Sequence, residues 1–111
     1  MSVELAVREW IAVGPAAAIP RRRARVVRIG ATRVALFRTG DDRYFAIEDR
    51  CPHRGGPLSE GIVHGCRVAC PLHDWVIELE TGRAVPPDEG AVPVYPVRVE
   101  DGMLLLGVPR E

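Results

Sequence analysis

The sequence predicts an all-β protein: an antiparallel scaffold interrupted by one loop-rich insertion. Three observations carry that expectation. Short apolar segments recur between glycines and prolines, of which the chain has 11 and 10. Several of these segments alternate apolar and polar residues with a period of two. Helical periodicity over ten or more residues occurs only at 3–13, where Gly14-Pro15 truncates it. A length of 111 residues, 47% hydrophobic and 27% charged, suits a single globular domain, residues 1–111.

The elements follow in order. "EWIAV" (Glu9–Val13) reads as a first strand, and "AAAI" (Ala16–Ile19) as one helical turn before Pro20. "RVVRI" (Arg25–Ile29) and "RVALF" (Arg33–Phe37) are strand-forming runs joined through Gly30-Ala31-Thr32, a tight hairpin connection. "TGDD" (Thr39–Asp42) turns the chain into "RYFAIE", where Tyr44, Ala46 and Glu48 alternate against Phe45 and Ile47. "WVIELE" (Trp75–Glu80) alternates again and ends at the turn "ETGR". "AVPPDEG" (Ala84–Gly90) is a proline loop, with Asp88-Glu89 in its turn. "PVYPVRVE" and "MLLLGV" flank Asp101-Gly102, a strong hairpin signal. Pro96 cannot donate to a ladder, so it belongs at a strand edge or a bulge.

Charge and hydropathy exclude some classes. Net charge is zero, yet residues 1–50 hold ten Arg against six Asp/Glu and residues 51–111 hold five against nine, giving +4 and −4. A generic nucleic-acid binder carries a basic surplus, so no nucleic acid is expected as partner. No apolar run approaches the roughly 18 residues of a membrane span, and "MLLLGV" is strand length. The N-terminus lacks a basic stretch followed by an apolar one, which points to the cytoplasm. Thiols stay reduced there, and paired cysteines are more often metal ligands than disulfides.

The insertion "CPHRGGPLSEGIVHGCRVACPLHDW" (Cys51–Trp75) holds all three cysteines and all three histidines. Four of them form two short pairs, Cys51-x-His53 and Cys70-x-x-His73, with sixteen residues between. Pro52 and Pro71 stiffen the two loops and hold each cysteine extended. Glycines 55, 56, 61 and 65 permit sharp bends. A hairpin turning at His64-Gly65 would return the chain from Ile62-Val63 to Arg67-Val68 and set the loops side by side. Each loop then offers one sulfur and one imidazole to a common centre. Two cysteines on one iron and two histidines on the other is the donor set of a mixed-ligand 2Fe-2S cluster. Zinc fingers keep like ligands together, C-x2-4-C then H-x3-5-H, although a tetrahedral zinc site would use the same four donors.

"CPHRGGPLSEG" with "CPLHDW" resembles the Rieske 2Fe-2S family. "CPHRGGPLSEGIVHG", "CPLHDWVIELETGRAVPPDEG" and "YPVRVEDG" resemble more closely its branch of small subunits of NAD(P)H-dependent assimilatory nitrite reductase. The likeness runs from about Trp10 to Leu106. It implies a β-sandwich or flattened barrel, with a small cluster-binding subdomain at about 49–75 and the Pro86-Pro87 loop covering the cluster. It implies a Rieske 2Fe-2S cofactor on Cys51, His53, Cys70 and His73. It also implies an electron-transfer role in reducing nitrite to ammonium for nitrate assimilation, with a flavin and sirohaem large subunit as partner. No motif for flavin, sirohaem or nitrite occurs in this chain, and neither do paired catalytic carboxylates or a Ser/His/Asp triad. Two rival readings are a Rieske ferredoxin serving a ring-hydroxylating dioxygenase, with an oxygenase or reductase as partner, and a zinc-stabilised interaction domain without redox function.

High-potential members of the family link the two loops by a disulfide and place Ser and Tyr hydroxyls near the sulfurs. The matching positions here are Gly56 and Leu72, and the stretch Asp74-Trp75-Val76-Ile77 has no hydroxyl. Fewer donors to sulfur predict a potential low in the Rieske range. Among the other residues, Cys66 reads as a small buried apolar side chain, His64 as a turn residue and Trp75 as packing. Arg21–Arg25 reads as a solvated loop and strand start, with a patch for an acidic partner as the alternative. Arg54 and Asp74 stand equally as surface residues or as a docking rim.

Overall fold

The structure, a computed structural model, describes residues 9–52, 55–72 and 74–108. Its strands are β1 (Glu9–Pro15), β2 (Arg23–Ile29), β3 (Thr32–Arg38), β4 (Tyr44–Glu48), β5 (Ile62–His64), β6 (Arg67–Ala69), β7 (Val76–Glu78), β8 (Val94–Tyr95), β9 (Val97–Glu100) and β10 (Met103–Val108). Single 3-10 turns form at Ala16–Ala18 and Leu58–Glu60. The strands make three antiparallel sheets: β1-β10-β9, β2-β3-β4-β8 and β5-β6-β7. The all-β antiparallel expectation holds.

The middle sheet is a wall between two cores, and β3 shows why. Val34, Ala35, Leu36 and Phe37 are all buried, so the strand reads as a continuous apolar run rather than an alternation. Successive side chains point to opposite faces. Val34 and Leu36 pack with Ala46, Ile19, Leu104, Leu106 and Val108 toward the first sheet. Ala35 and Phe37 pack with Ile47, Leu58, Val68, Ile77 and Leu79 toward the third. β4 splits the same way, Ala46 to one core and Ile47 to the other.

Pro96 lies where the chain changes sheets. β8 pairs with β4 through Ala46–Tyr95 and Ile47–Val94, whereas β9 pairs with β10. At the crossing the Pro96 carbonyl accepts the Gly107 N–H at 2.9 Å, and no N–H is needed from Pro96 itself. β1 carries an extra residue, Val13, between the Ala12–Leu105 and Gly14–Leu104 pairs, a bulge followed by Gly14 at φ +131°.

The β5-β6 hairpin turns at Gly65-Cys66, one residue later than the sequence suggests. His64, read as a turn residue, is instead the exposed last residue of β5, paired with Arg67, because the turn falls one residue later. The strand expected over Trp75–Glu80 is shorter, Val76–Glu78: the Leu79 N–H still donates to the Cys66 carbonyl in register at 2.8 Å, but the chain then turns, the Gly82 N–H donating to the Glu78 carbonyl at 2.7 Å. Cys66 is half-buried rather than buried, and its thiol meets the guanidinium of Arg43. Of the Arg21–Arg25 run, Arg21 pairs with Asp42 at 2.8 Å, and Arg38 holds the same carboxylate. These guanidinium hydrogen bonds, Arg21 first, hold the Asp42 carboxyl down at about 2.

Gly61 governs how closely the third sheet approaches the segment before it. A β-carbon there would fall 2.2 Å from the Ala69 carbonyl oxygen, a backbone atom of the paired strand. Gly61→Ala is therefore expected to destabilise the fold by about 1–3 kcal/mol. Gly65→Ala meets open space at φ +54° and carries only a left-handed penalty of about 1–2 kcal/mol. Urea denaturation of the two variants checks the steric argument, which requires Gly61→Ala to lower the midpoint at least as far as Gly65→Ala.

Candidate metal centre

Two loops of the same construction present Cys51 and Cys70. In the first, the Cys51 N–H donates to the Gly56 carbonyl at 2.8 Å, and the Cys51 carbonyl accepts the Gly55 N–H at 2.8 Å. In the second, the Cys70 N–H donates to the Trp75 carbonyl at 2.7 Å, and the Cys70 carbonyl accepts the Asp74 N–H at 3.0 Å. Each cysteine thus closes a turn with the residues four and five positions on. The fourth residue is left-handed in both, Gly55 at φ +72° and Asp74 at φ +56°. Asp is among the non-glycine residues that tolerate this region. The sequence flags Gly55 as a bend; Asp74 gives no comparable signal.

Both cysteines are buried, at 1% exposure each, inside the same core as Phe37, Ile47, Leu58 and Ile77. The loops also touch. A β-carbon built on Gly56 of the first would fall 2.8 Å from Leu72 Cδ1 and 3.1 Å from Cys70 Sγ of the second. The two positions matched to a bridging disulfide therefore face each other, occupied by glycine and leucine. His53, Arg54 and His73 lie outside the described residues.

A buried carboxylate not anticipated from the sequence anchors the first loop. Asp49 accepts the Ser59 N–H at 2.7 Å and the Ser59 hydroxyl at 2.9 Å, and Arg33 approaches at 3.4 Å. Its side chain is fully buried, and its own N–H donates to the Arg33 carbonyl at 2.8 Å. Asp49 ties the turn at Leu58–Glu60, and so the return of the first loop, to β3.

The proline segment is stitched to β7: Val85 N–H donates to the Val76 carbonyl and Glu78 N–H to the Arg83 carbonyl, at 2.8 and 2.9 Å. Its contact with the cluster loops is at Gly90. A β-carbon there would lie 3.0 Å from Pro52 Cβ and 3.8 Å from Trp75 Cζ3. Pro86 and Pro87 themselves are exposed and line a half-open groove with Glu78, Arg83 and Val94. Trp75 is half-buried against the core, in keeping with a packing role. The turn expected at Asp88 is present, its N–H donating to the Val85 carbonyl at 3.2 Å.

Comparison with known proteins identifies the family. A family model for the Rieske [2Fe-2S] domain matches residues 9–96. The chain is 42% identical over 81 residues to the anthranilate 1,2-dioxygenase ferredoxin subunit of Burkholderia cepacia, covering 71% of this chain and 73% of that protein. The structure superposes with a TM-score of 0.85 on a protein provisionally assigned as an NADH-dependent nitrite reductase small subunit from Mycobacterium tuberculosis. That match has 25% identity and covers 96% of this chain and 100% of the other. It also superposes with a TM-score of 0.78 on a chain from the complex of reduced oxygenase and oxidized ferredoxin in carbazole 1,9a-dioxygenase, at 31% identity, covering 87% of this chain and 100% of that one. Larger relatives are matched over only a part: the chain spans 29% of the 4beta-methylsterol monooxygenase of Methylococcus capsulatus. The chain belongs to the Rieske [2Fe-2S] domain family. Its cofactor is a Rieske-type 2Fe-2S cluster and its role is electron transfer. Two buried sulfurs on matched, mutually touching loops fit that group. No helix among the described residues is long and apolar enough to cross a membrane.

Removing the Asp49 carboxylate leaves the Ser59 N–H and hydroxyl without their acceptor. Asp49→Ala is expected to lower stability by about 1–3 kcal/mol. The neighbouring exposed change Glu60→Ala should stay within about 0.5 kcal/mol. Chemical denaturation of both holoproteins checks the contrast, and equal effects would remove Asp49 from its anchoring role.

Proposed function

We propose that this chain is the electron-transfer subunit of a cytoplasmic NAD(P)H-dependent nitrite reductase, its cluster held by Cys51, His53, Cys70 and His73. The thiolates of Cys51 and Cys70 would hold one iron, and the imidazoles of His53 and His73 the other. The pairing of one Cys with one His in each of two like-built turns supports this ligand set. A cluster bound there would supply one-electron transfer. The polypeptide's part is to bury the sulfurs, keep the two turns in contact and limit the access of water. The substrate chemistry, nitrite to ammonium, would take place on a large subunit carrying flavin and sirohaem.

The observation that favours the nitrite reductase branch is the segment "CPLHDWVIELETGRAVPPDEG". Its described residues link the second loop, β7 and the proline strap by hydrogen bonds, with Gly90 packed against Pro52 of the first loop. The near full-length likeness to a nitrite reductase small subunit agrees with it. The higher sequence identity to a dioxygenase ferredoxin subunit favours a second reading, in which the same cluster serves an oxygenase and its reductase. A tagged chain expressed in its own host separates the two. Capture of a protein with sirohaem and flavin absorbance supports the first reading, and capture of a non-haem iron oxygenase supports the second.

Ligand substitution tests the cluster assignment. His53→Ala and His73→Ala should each abolish the Rieske EPR signal of the dithionite-reduced protein, whereas His64→Ala should leave it unchanged. A normal signal from His73→Ala, or one zinc per chain and no iron in anaerobically purified protein, would sink the assignment.

The potential should lie low in the Rieske span of roughly −150 to +300 mV, below about +100 mV. A redox titration reads it directly, and a higher midpoint would contradict the argument from missing hydroxyl donors.

A further inference from the structure

Four arginines of the first half, Arg22, Arg23, Arg25 and Arg28, are exposed and form no ion pair among the described residues. The last three lie on β2, an edge strand, where positive charge guards against unwanted strand pairing. Two arginine pairs face each other across β2 and β3, Arg23 with Arg38 and Arg28 with Arg33. The charge of Arg38 is offset by Asp42 at 2.8 Å, whereas no comparably free carboxylate offsets the Arg28–Arg33 pair among the described residues. Like charges facing each other across a ladder destabilise it.

The position of this pair is informative. β3 begins beside the end of β4, where Val34 pairs with Glu48 and the Asp49 N–H meets the Arg33 carbonyl. From Asp49 the chain runs directly into Arg50 and Cys51. Arg50 is exposed, has no ion pair among the described residues and lies over the first cluster loop. A β-carbon on Gly55 would sit 3.6 Å from Arg50 Nε. Arg33 is half-exposed, and its one acidic contact, Asp49 at 3.4 Å, is a carboxylate already committed to Ser59. Arg28, Arg33 and Arg50 therefore belong to the same end of the middle sheet, the end from which the Cys51 loop leaves, with Arg50 lining a hollow beside Glu48 and Pro93. Arg23 and its partner Arg38 mark the opposite end.

We propose that Arg28, Arg33 and Arg50 form an electropositive rim beside the Cys51 loop that docks an acidic protein surface for electron transfer. The proposal rests on the cluster reading above and adds the charge of the partner and the side from which it approaches. Planar guanidinium forks suit surface carboxylates. A polyanion such as nucleic acid fits less well, since Glu60, Asp74 and Glu89 are exposed carboxylates on the segments around the same loops. A protein surface of mixed charge accommodates both signs. Such steering raises encounter rates without strengthening the fold, which accounts for an unfavourable cross-strand pair being present.

The test uses the reduced holoprotein in stopped flow with two one-electron oxidants of opposite charge, ferricyanide and tris(bipyridine)cobalt(III). Each takes one electron from the cluster and is itself reduced by one. At about 10 mM ionic strength the Arg28→Glu/Arg50→Glu double variant should react roughly tenfold more slowly with ferricyanide and faster with the cobalt complex. The differences should disappear at about 0.5 M, where screening is strong. Poly-L-glutamate should compete with ferricyanide for the wild type and not for the double variant. Arg23→Glu, remote from the loops, should change either rate less than about twofold. Arg28→Lys/Arg50→Lys should behave as wild type. Equal rates for double variant and wild type overturn the rim, and so does an Arg23→Glu effect as large as the double variant's, which would reflect net charge alone. Loss of the EPR signal in the double variant, with the Lys variant carrying the signal but lacking wild-type rates, also overturns it. Absence of the Rieske signal from the wild type would instead overturn the cluster reading beneath it.

Discussion

The cysteine sulfurs of this protein are core atoms, and the geometry of the site depends on that. Cys51 and Cys70 belong to the same buried cluster as Ala35, Phe37, Ile47, Leu58, Val63, Val68 and Ile77. A loop that ended on exposed ligands could drift; these two loops cannot, because moving either cysteine would open a void against the middle sheet. Interiors are close-packed, so such a displacement loses dispersion contacts as well as transfer free energy. The backbone closures at Gly55-Gly56 and Asp74-Trp75 then fix the ends of each turn against its cysteine. The core positions the sulfurs first, and the turns follow from the sulfurs.

The middle sheet makes this arrangement stiff. It presents one face to the first sheet and the other to the loops, and β3 has no solvent-facing side between Val34 and Phe37. Asp49 extends the stiffness beyond the last residue of β4 by fastening Ser59 in the return of the first loop. The strap does the same from the other side, through β7 and Gly90. The cluster end is thus braced by a buried carboxylate on one flank and by a hydrogen-bonded loop on the other.

Much of this was legible in the residues. The uninterrupted apolar run of β3, the period of two in β4 and the Asp101-Gly102 turn are local signals, and each produced its element. The spacing of the cysteines marked the two loops without any knowledge of the fold, and the structure brings Cys51 and Cys70 into one core. What stayed hidden depends on contacts between distant segments. Asp49 resembles any polar residue closing a strand until Ser59 is brought to it. Asp74 occupies a left-handed turn position that nothing in its neighbours announces. Cys66 reads as a buried apolar residue, but the hairpin turns one residue later than expected and sets its thiol against Arg43. Glu78-Leu79-Glu80 continues the alternation of β7, yet the strand stops at Glu78, whose carbonyl accepts the Gly82 N–H and closes a turn. Period-two patterning reports which face is apolar; it does not report where a turn cuts the strand short.

The contact between the two loops deserves a physical reading of its own. Where a disulfide would tie them, Gly56 stands against Leu72 and the sulfur of Cys70. Glycine is required because a side chain at 56 would occupy the space of both. Leu72, although half-exposed, fills the junction with apolar atoms. Packing of this kind holds the loops together without adding a redox-active bond beside the cluster, and it supplies no donor to the sulfurs. Hydrogen bonds to sulfur stabilise the extra negative charge of the reduced state, so an apolar junction disfavours reduction. The same junction therefore does two things at once: it holds the loops by van der Waals contact, and it adds no hydrogen-bond donor of its own beside the sulfurs.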